Sequence, residues 1–556
     1  MERNNWRLNS VSPFNTKKSC AYGSNGMVVA NHPLAAAAGA QILLSGGNAI
    51  DGAVAALFAL SVTEPMMVGI FGAGFFNIRL ATGQHLIVDN YAKSPRKSFP
   101  DMFRTTNDPG FQGQEESNKK NVIGPLSVGV GGSLKGWCHV QKKLGNLDLF
   151  DVIAPAINIA TQGFVVSDYL SNAIKSNEEA IRKFPTTSRE FIPNGQLLKR
   201  GDRLTRYEYA ESLRVIAKEG ESALYGGSLG NIICDFLNRN GGLIDKKDLE
   251  DYSVIESDPV KGSYRNYEIF GPPPPCAGGI HLIQLLNILE GFDIQRMGFG
   301  NPKVLDIIAK SVARAFIDRD KYTGDPKFLE IPIERIISKS YADDIRSELD
   351  SNDELMVTTT PDESDYTTHV TVGDGDGNVV STTQTIHEMF GSKVTVPGTG
   401  ILLNNNMALF DPDPGGALSV GPGKRMTSSM APTIVTEDGK NHSAIGVPGG
   451  LKIFPSILQG LLNLIDHRMT PQEAVEAPRI WTKGGGLIEI ERTFSSESYN
   501  GLSNLGNDVT WVDRIAGGMN MIKFESDGLM VGATCWRADG HAVGIGGAPA
   551  DQDVLF

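Results

Sequence analysis

The apolar positions near the N-terminus predict two buried helices. LAAAAGAQILLSGG, residues 34–47, is rich in helix-forming residues and ends at a Gly-Gly pair, as helices often do. NAIDGAVAALFALSVTEP, residues 48–65, begins at Asn48, a favourable N-cap, and ends before a proline. Because both segments are apolar on nearly all sides, we expect them in the interior rather than on the surface.

Helical patterns return through the middle and the C-terminal part of the chain. Before them, MMVGIFGAGFFNIRL at residues 66–80 is punctuated by glycines and leads into a strand. No strand–turn–helix unit follows these glycines, so a dinucleotide site is not predicted. Further helices are predicted at about residues 149–219, 280–291, 301–318, 334–349, 454–467 and 470–478.

After residue 350 the sequence changes from helical patterns to a polar segment followed by β-branched runs. SNDELMVTTTPDESD, residues 351–365, is polar and turn-rich and is the best linker candidate. YTTHVTVG and NVVSTTQTI are β-branched runs joined by DGDGN, which predicts a hairpin over residues 366–386. DGDGN resembles half of a calcium loop but lacks the glycine and the glutamate that complete one, which favours a turn. A second polar stretch, Asn107–Asn121, predicts a mobile loop.

The amino-acid composition and net charge limit the classes of protein to which this chain can belong. The 556 residues are 40% hydrophobic and 21% charged, which is typical of a globular protein with a large core. A formal charge of −13 without a basic stripe argues against nucleic-acid binding. The N-terminal segment has no apolar leader, and no run of 18 apolar residues exists, so we expect a soluble, cytoplasmic protein without membrane contact.

No metal or cofactor is expected from the sequence. The five cysteines are odd in number and scattered, which fits neither a disulfide framework nor a zinc site. His369 lies within the first run of the hairpin, close to Thr367, and His387 follows the second run, but HEMFG lacks the second histidine of a metalloprotease motif. For His387 the alternatives of a substrate-polarising group and a packed polar residue stay open, with a metal ligand as the least favoured.

Thr367 follows the linker candidate and opens a strand. If the peptide bond before it were broken, its hydroxyl could attack a carbonyl while its free α-amine accepts the proton. Such an amine has a pKa of about 7.7–8, so much of it is a base at neutral pH. The same hydroxyl could make the cut by attacking the Tyr366 carbonyl. From residue types alone, however, a Thr-Thr pair at a strand start is usually only a β-former.

Motifs along nearly the whole chain give a second line of evidence on the role of Thr367. TTHVTV, DGDGNVVSTTQT, GILLNNNM, GPGKRMTSSMAPTIV, GVPGG and APRI resemble the small subunit of the gamma-glutamyltransferase family. GGNAIDGAVAA, TEPMMVGIFGAGFF and PPPCAGGIHLIQLLNILEG resemble its large subunit, and the similarity spans about His32 to Gly547. This resemblance implies an α+β, four-layer αββα sandwich of the N-terminal-nucleophile (Ntn) hydrolase type, formed by two intertwined subunits from one precursor. Residues 1–366 would form the large subunit and 367–556 the small one, together one structural unit.

The resemblance also assigns catalytic roles. Thr367 matches the nucleophile, with cleavage after Tyr366, and Thr385 matches a second threonine whose hydroxyl bonds to the nucleophile and aids processing. Two glycines match the pair whose N–H groups form the oxyanion hole, where each fixed donor is commonly worth about 3 kcal/mol. Two serines match the pair that holds the carboxylate end of the substrate. These four are Gly449, Gly450, Ser428 and Ser429.

The substrate-binding positions depart from the glutathione-specific pattern. Tyr91 stands where those relatives have an arginine, although Arg96 and Arg104 lie nearby and could substitute for it. His387 stands where they have an asparagine or a similar residue. Leu409, in NNNMALF, replaces the acidic residue that pairs with the substrate ammonium.

Leucine at this position disfavours an α-amino acyl group, because a buried ammonium without a carboxylate partner costs roughly several kcal/mol. Asn406 of the same segment is expected to contact substrate. FDPDPGGALSVGPGKR is too short for the family's lid loop, which implies an open site that favours hydrolysis. Its Arg425 could bind an anion or simply complete a turn.

Three hypotheses follow. The first is an autoprocessed amidohydrolase, acting through an acyl-threonine on a small carboxylate-bearing acyl group that is oxamate-like or glutaryl-like. The second is a γ-glutamyl hydrolase or transferase that acts on glutathione. The third is an uncleaved, inactive homologue that serves as a binding protein. The expected partners are a small-molecule amide and the chain's own two subunits, as a heterodimer or as a dimer of such heterodimers.

Overall fold

The computed structural model describes residues 5–103, 119–349 and 366–547. Of the two polar stretches, residues 107–118 of the first and all of the linker candidate, residues 351–365, lie outside the described residues. The predicted hairpin lies inside them, at the centre of the fold.

A seven-stranded antiparallel sheet carries this hairpin. Thr368 pairs with Gln384, so the start of the first hairpin strand lies beside the end of the second. The carboxylate of Asp374 accepts hydrogen bonds from the N–H groups of Asp376 and Asn378, which forms the predicted turn. In spatial order the strands are His541–Ile545, Gly26–Ala30, Thr368–Asp374, Val379–Thr385, Ala73–Arg79, His85–Asp89 and Ile255–Ser257.

A second seven-stranded antiparallel sheet packs against the first. Its strands are, in order, Ala21–Gly23, Met530–Thr534, Asn520–Phe524, Lys440–Gly446, Thr433–Glu437, Tyr267–Gly271 and Val260–Tyr264. Smaller sheets combine Ile480–Gly484 with Leu487–Glu491 and Asp508–Val512, Thr395–Val396 with Ile401–Leu402, and Phe164–Val165 with Arg203–Leu204.

His369 joins the two large sheets. Its ring nitrogens lie 2.8 Å from the Thr383 hydroxyl and 2.9 Å from the Thr371 hydroxyl, all within the first sheet. A Cβ on Gly446 of the second sheet would come within 2.0 Å of the imidazole, so only glycine fits there. Burial lowers the pKa of His369 to about 3, which keeps the ring neutral between the sheets.

The two predicted N-terminal helices are confirmed as Pro33–Leu44 and Ala49–Thr63, and both pack on the outer face of the first sheet. Asn48 caps the second helix, since its side chain accepts hydrogen bonds from two main-chain N–H groups. Helices Gly278–Leu289 and Ile453–Ile465 cover the second sheet. The order of layers is therefore helix, sheet, sheet, helix, which confirms the expected αββα sandwich.

The remaining helices surround this sandwich. None of the helices in the described part of the chain is long and apolar enough to cross a membrane. They are Ser133–Leu144, Leu149–Gln162, Asp168–Ser176, Glu178–Arg182, Pro185–Phe191, Tyr207–Glu219, Ser228–Arg239, Lys246–Glu250, Ile294–Met297, Pro302–Tyr322, Ile333–Ile336, Lys339–Leu349, Pro471–Glu476 and Ser496–Asn504. Short 3₁₀ turns include Asn406–Leu409 and Gly450–Lys452.

Candidate active site

Thr367 lies immediately before the first hairpin strand, with the chain continuous through Tyr366. Its side chain is buried, at 6% exposure, and its Oγ1 has no hydrogen-bond partner in the described part of the chain. A buried hydroxyl without a partner is uncommon and calls for an explanation. Such a hydroxyl is free to act as a nucleophile.

Thr385 does not bond to the nucleophile as expected. Its Oγ1 donates to the carbonyl oxygen of Tyr366, at 2.8 Å, and accepts from the N–H of His387, also at 2.8 Å. The expectation is wrong for the uncleaved chain because the Tyr366 carbonyl, still joined to Thr367, takes the donated hydrogen. A donor is therefore already in place on the carbonyl that would gain negative charge if Thr367 attacked it.

His387 acts on this arrangement through its main chain. Its φ of +77° lies in the left-handed region, which is uncommon for a residue other than glycine. Burial and the nearby Lys393 ammonium lower the pKa of its imidazole to about 3, so the ring is neutral at physiological pH. The main-chain N–H of His387 donates to one lone pair of the Thr385 oxygen. The hydrogen of the Thr385 hydroxyl is then left to donate to the Tyr366 carbonyl.

Glu64 is a part of the site that the sequence analysis missed. Its buried carboxylate accepts a hydrogen bond from the hydroxyl of Thr368, the residue after Thr367, at 2.8 Å. Burial, with a smaller contribution from Asp539, raises the pKa of Glu64 to about 8. The TEP sequence alone gave no sign of this contact, because the two residues are 304 positions apart.

Replacing Glu64 by glutamine is expected to flatten the dependence of stability on pH. Because the folded-state pKa is raised, the stabilisation is complete below about 4.5 and is lost as pH rises towards about 8. Wild type should therefore lose stability relative to Glu64→Gln across this window, by a total on the order of a few kcal/mol. Denaturant unfolding at several pH values measures this difference, and parallel curves for the two proteins would contradict it.

Of the three consecutive asparagines at residues 404–406, the first two bind the main chain of other segments. Asn404 Oδ1 accepts from the N–H of Gly129, and Asn405 Oδ1 accepts from the N–H of Glu388. The amide of Asn406 is completely buried, and neither its oxygen nor its nitrogen has a partner within the described residues. An amide carries both donors and acceptors, so Asn406 is available to a polar ligand.

Leu409 ends the same short turn. It is 8% exposed and belongs to the hydrophobic core between the second sheet and its helices. Two carboxylates of other segments are already paired: Glu388 with Lys393 at 3.3 Å, and Asp89 with Arg425 at 3.2 Å.

Tyr91, at the family arginine position, is buried and stacks on Phe75 with ring centroids 5.0 Å apart. Its carbonyl accepts from Arg425 Nη1 at 2.7 Å and from the Tyr252 hydroxyl at 2.9 Å. Arg425 is therefore a structural residue that fixes this segment, which favours the second of its two interpretations.

Arg96, which could substitute for the family arginine, is engaged by two carboxylates. Its guanidinium lies 2.9 Å from a carboxylate oxygen of Asp245 and 3.2 Å from one of Asp248, so its charge is already paired. Arg104 lies outside the described residues.

Ser428 and Ser429 are both buried. The Ser428 hydroxyl accepts from the N–H of Met430, and the Ser428 carbonyl accepts from the N–H of Ala277 at 2.7 Å. The proline-rich segment PPPPCAGG thus positions the serine pair.

Gly449 and Gly450 precede the helix Ile453–Ile465. Their φ values of +152° and +53° lie in the region that favours glycine. A Cβ on Gly449 would come within 2.6 Å of the Ala516 Cβ. In the described part of the chain neither glycine N–H donates a hydrogen bond. Two open N–H groups at a helix N-terminus suit a developing negative charge.

The open site expected of the cleaved enzyme stays a prediction. Residues 410–425 do form a compact turn, closed by a hydrogen bond from the N–H of Asp411 to the carbonyl of Leu418. In the uncleaved chain Thr367 is buried, and Tyr366 before it packs against the core.

A threonine at a strand start on a four-layer αββα sandwich places the protein in the Ntn-hydrolase class of enzymes. A family model described as gamma-glutamyltranspeptidase matches residues 35–545. The chain belongs to the gamma-glutamyltranspeptidase family.

Individual relatives agree with this assignment. The acylase ACY 1 proenzyme of Pseudomonas sp. (strain V22) is 49% identical, over 98% of each chain. The glutathione hydrolase proenzyme of Escherichia coli (strain K12) is 36% identical, over 92% of this chain and 90% of that protein. The crystal structure of cephalosporin acylase from Bacillus halodurans superimposes with a TM-score of 0.87 at 28% identity, covering 96% of this chain and 98% of that chain.

Proposed function

We propose that the chain is a precursor that cleaves itself before Thr367 and then hydrolyses amides through an acyl-threonine intermediate. The Thr367 hydroxyl attacks the Tyr366 carbonyl carbon, and the C–N bond breaks to leave an ester and a free α-amine. Water then opens the ester. The products are a large subunit of residues 1–366 and a small one of residues 367–556, which stay together as a heterodimer. The observation that carries this step is the Thr385 hydroxyl on the Tyr366 carbonyl.

The mature enzyme uses the same groups on its substrate. The Thr367 hydroxyl attacks the substrate carbonyl, and its α-amine takes the hydroxyl proton and passes it to the leaving amine. The open N–H groups of Gly449 and Gly450 hold the oxyanion. Water then releases the acyl group from Thr367.

The acyl group in this proposal carries a carboxylate but no α-amine, as in glutaryl or oxamyl amides. Leu409 supports it, because this side chain gives an ammonium no partner. The carboxylates of Glu388 and Asp89 are paired with Lys393 and Arg425. Ser428, Ser429 and the unpaired amide of Asn406 are the groups proposed to hold the acyl end, with Tyr91 and His387 beside it. The acylase names of two relatives agree with this choice.

A panel of glutaryl-, oxamyl- and γ-glutamyl-amides of one chromogenic amine tests the substrate. We expect the first or second to have the highest kcat/KM, and glycylglycine not to stimulate turnover. A strong γ-glutamyl preference with stimulation by glycylglycine would establish the alternative, a glutathione hydrolase or transferase like the Escherichia coli relative. A single full-length band on a denaturing gel, without activity, would establish the binding-protein alternative.

Leu409→Asp is expected to shift preference towards γ-glutamyl amides. A carboxylate at this position gives the substrate ammonium a charged hydrogen-bond partner, worth roughly 1.5–3 kcal/mol or about 10- to 100-fold. Leu409→Asn is the matched control, because it has the same shape as aspartate without the charge. The ratio of γ-glutamyl to glutaryl kcat/KM, measured on one preparation, cancels differences in folded fraction. Equal ratios for the two variants would contradict the role of Leu409.

A further inference from the structure

A buried cluster of charged side chains lies behind the two glycines of the proposed oxyanion hole. It contains two arginines, Arg479 and Arg537, but one carboxylate, Glu491, and all three are almost completely buried. Arg537 pairs with Glu491 through two hydrogen bonds, one of them 2.7 Å long. The Arg537 charge is therefore compensated.

The guanidinium of Arg479 forms no ion pair with a carboxylate among the described residues, and Glu491, which accepts the main-chain N–H of Arg479 at 3.1 Å, is already paired with Arg537. Its Nη1 donates to the carbonyls of Ile515, at 3.1 Å, and Gly517, at 3.3 Å, and its Nη2 donates to that of Val475, at 3.1 Å. A buried charge without an opposite charge is strongly unfavourable. Arg479 Nη2 also lies 3.8 Å from the sulfur of Cys535.

The surroundings of Cys535 favour a negative sulfur. The thiol is fully buried, the N–H of Met519 donates to Sγ at 3.2 Å, and the Gly517 carbonyl, to which a protonated thiol could donate, is farther away at 3.7 Å. Burial opposes ionisation, but the charges of Arg479 and Arg537 outweigh it, so the pKa of Cys535 is lowered. The Lys18 ammonium, which donates to the hydroxyl of the preceding residue Thr534 at 3.3 Å, adds a positive charge near Cys535.

This cluster holds a turn that touches the glycine pair. Glu491 accepts from the N–H of Ile515 at 2.7 Å, and Arg479 binds the carbonyls on either side of Ala516. The N–H of Gly517 then donates at 2.7 Å to the carbonyl of Pro448, the residue before Gly449. Ala516 has a φ of +58° and faces Gly449 directly.

We propose that Cys535 is a thiolate that pairs with Arg479, and that this pair positions the turn at residues 515–517 against Gly449. The role of the turn in catalysis rests on the oxyanion hole of the proposed function, whereas the ionisation of Cys535 does not. Cys535 and Arg479 are positioning residues, since the cluster reaches the glycines through this turn.

Ultraviolet absorption of thiolate in the native protein tests the ionisation directly. We expect one thiolate per chain at neutral pH, because burial raises the pKa values of Cys20, Cys138 and Cys234, and Cys276 donates its hydrogen to the Met430 carbonyl. The signal should vanish in Cys535→Ser and persist in the matched control Cys234→Ser. No thiolate in the wild-type protein would overturn the proposal without any variant having to fold.

Kinetics test the positioning. Cys535→Ser should lower kcat by about 10- to 100-fold with little change in KM, because a displacement of catalytic groups by about 1 Å has effects of this size. Cys535→Asp, which keeps a negative charge, should retain more activity and more processing than Cys535→Asn. Wild-type kcat in Cys535→Ser, or equal results for Asp and Asn, would overturn the positioning role. If Thr367→Ala were still cleaved and active, the proposed function would be wrong. The number of thiolates measured per chain would not be affected by that result.

Discussion

Replacing Thr367 by alanine is expected to abolish both cleavage of the chain and amidase activity. The hydroxyl of Thr367 is the group proposed to attack Tyr366 and later the substrate, and it is buried without a partner. Losing a nucleophile of this kind lowers kcat by on the order of 10⁴-fold or more. A denaturing gel should show one full-length chain of 556 residues instead of two fragments of 366 and 190 residues.

Two variants control this experiment. Thr367→Ser keeps a hydroxyl and should still be cleaved. Thr433→Ala removes an equally buried strand hydroxyl, whose only described hydrogen bond goes to the carbonyl of Ala431, and should be cleaved and active. Cleavage of Thr367→Ala at the same position would show that another group makes the cut.

Replacing Thr385 by valine is expected to slow self-cleavage by about 10²- to 10³-fold, the usual effect of removing one oxyanion donor. Valine keeps the shape of threonine but cannot donate to the Tyr366 carbonyl, which the Thr385 hydroxyl contacts at 2.8 Å. The rate of fragment appearance in purified precursor, followed on denaturing gels, measures the effect. Thr385→Ser should restore most of the rate.

Thr382→Val is the matched control for this prediction. Thr382 lies on the same strand, is equally buried and also donates to a main-chain carbonyl, that of Phe75, at 3.0 Å. The control therefore loses a similar hydrogen bond without touching Tyr366. If Thr385→Val and Thr382→Val were cleaved equally fast, the Thr385 hydroxyl would have no special role in processing.

Local patterns in the sequence predicted the elements that carry the site. The apolar segments before Pro65 and the β-branched runs around DGDGN form helices and a hairpin through interactions between near neighbours. Resemblance of ordered motifs gave the family and the four-layer architecture. Both kinds of information depend on residues that are close together in the chain or on their order.

The contacts that decide how the site works join residues distant in sequence. Glu64 meets Thr368 from 304 positions away, and its raised pKa comes from burial that no local pattern reveals. Arg425 was a possible anion-binding residue by sequence, but in the structure it pairs with Asp89, 336 positions away, and has a structural role. In the uncleaved chain the Thr385 hydroxyl donates to the Tyr366 carbonyl rather than to Thr367, and this geometry is set only when the hairpin strands pair.

The sequence by itself determined the class of enzyme, the αββα fold and the position of Thr367 at the start of a strand. These follow from residue patterns and their order, which can be recognised without knowing any contact in the folded protein. Only the tertiary structure decided which hydroxyl faces the Tyr366 carbonyl, which carboxylates are already paired, and that the guanidinium of Arg479 contacts the Cys535 sulfur. Each of these depends on burial and on distances across the fold, where the removal of water sets the strength of charges and hydrogen bonds.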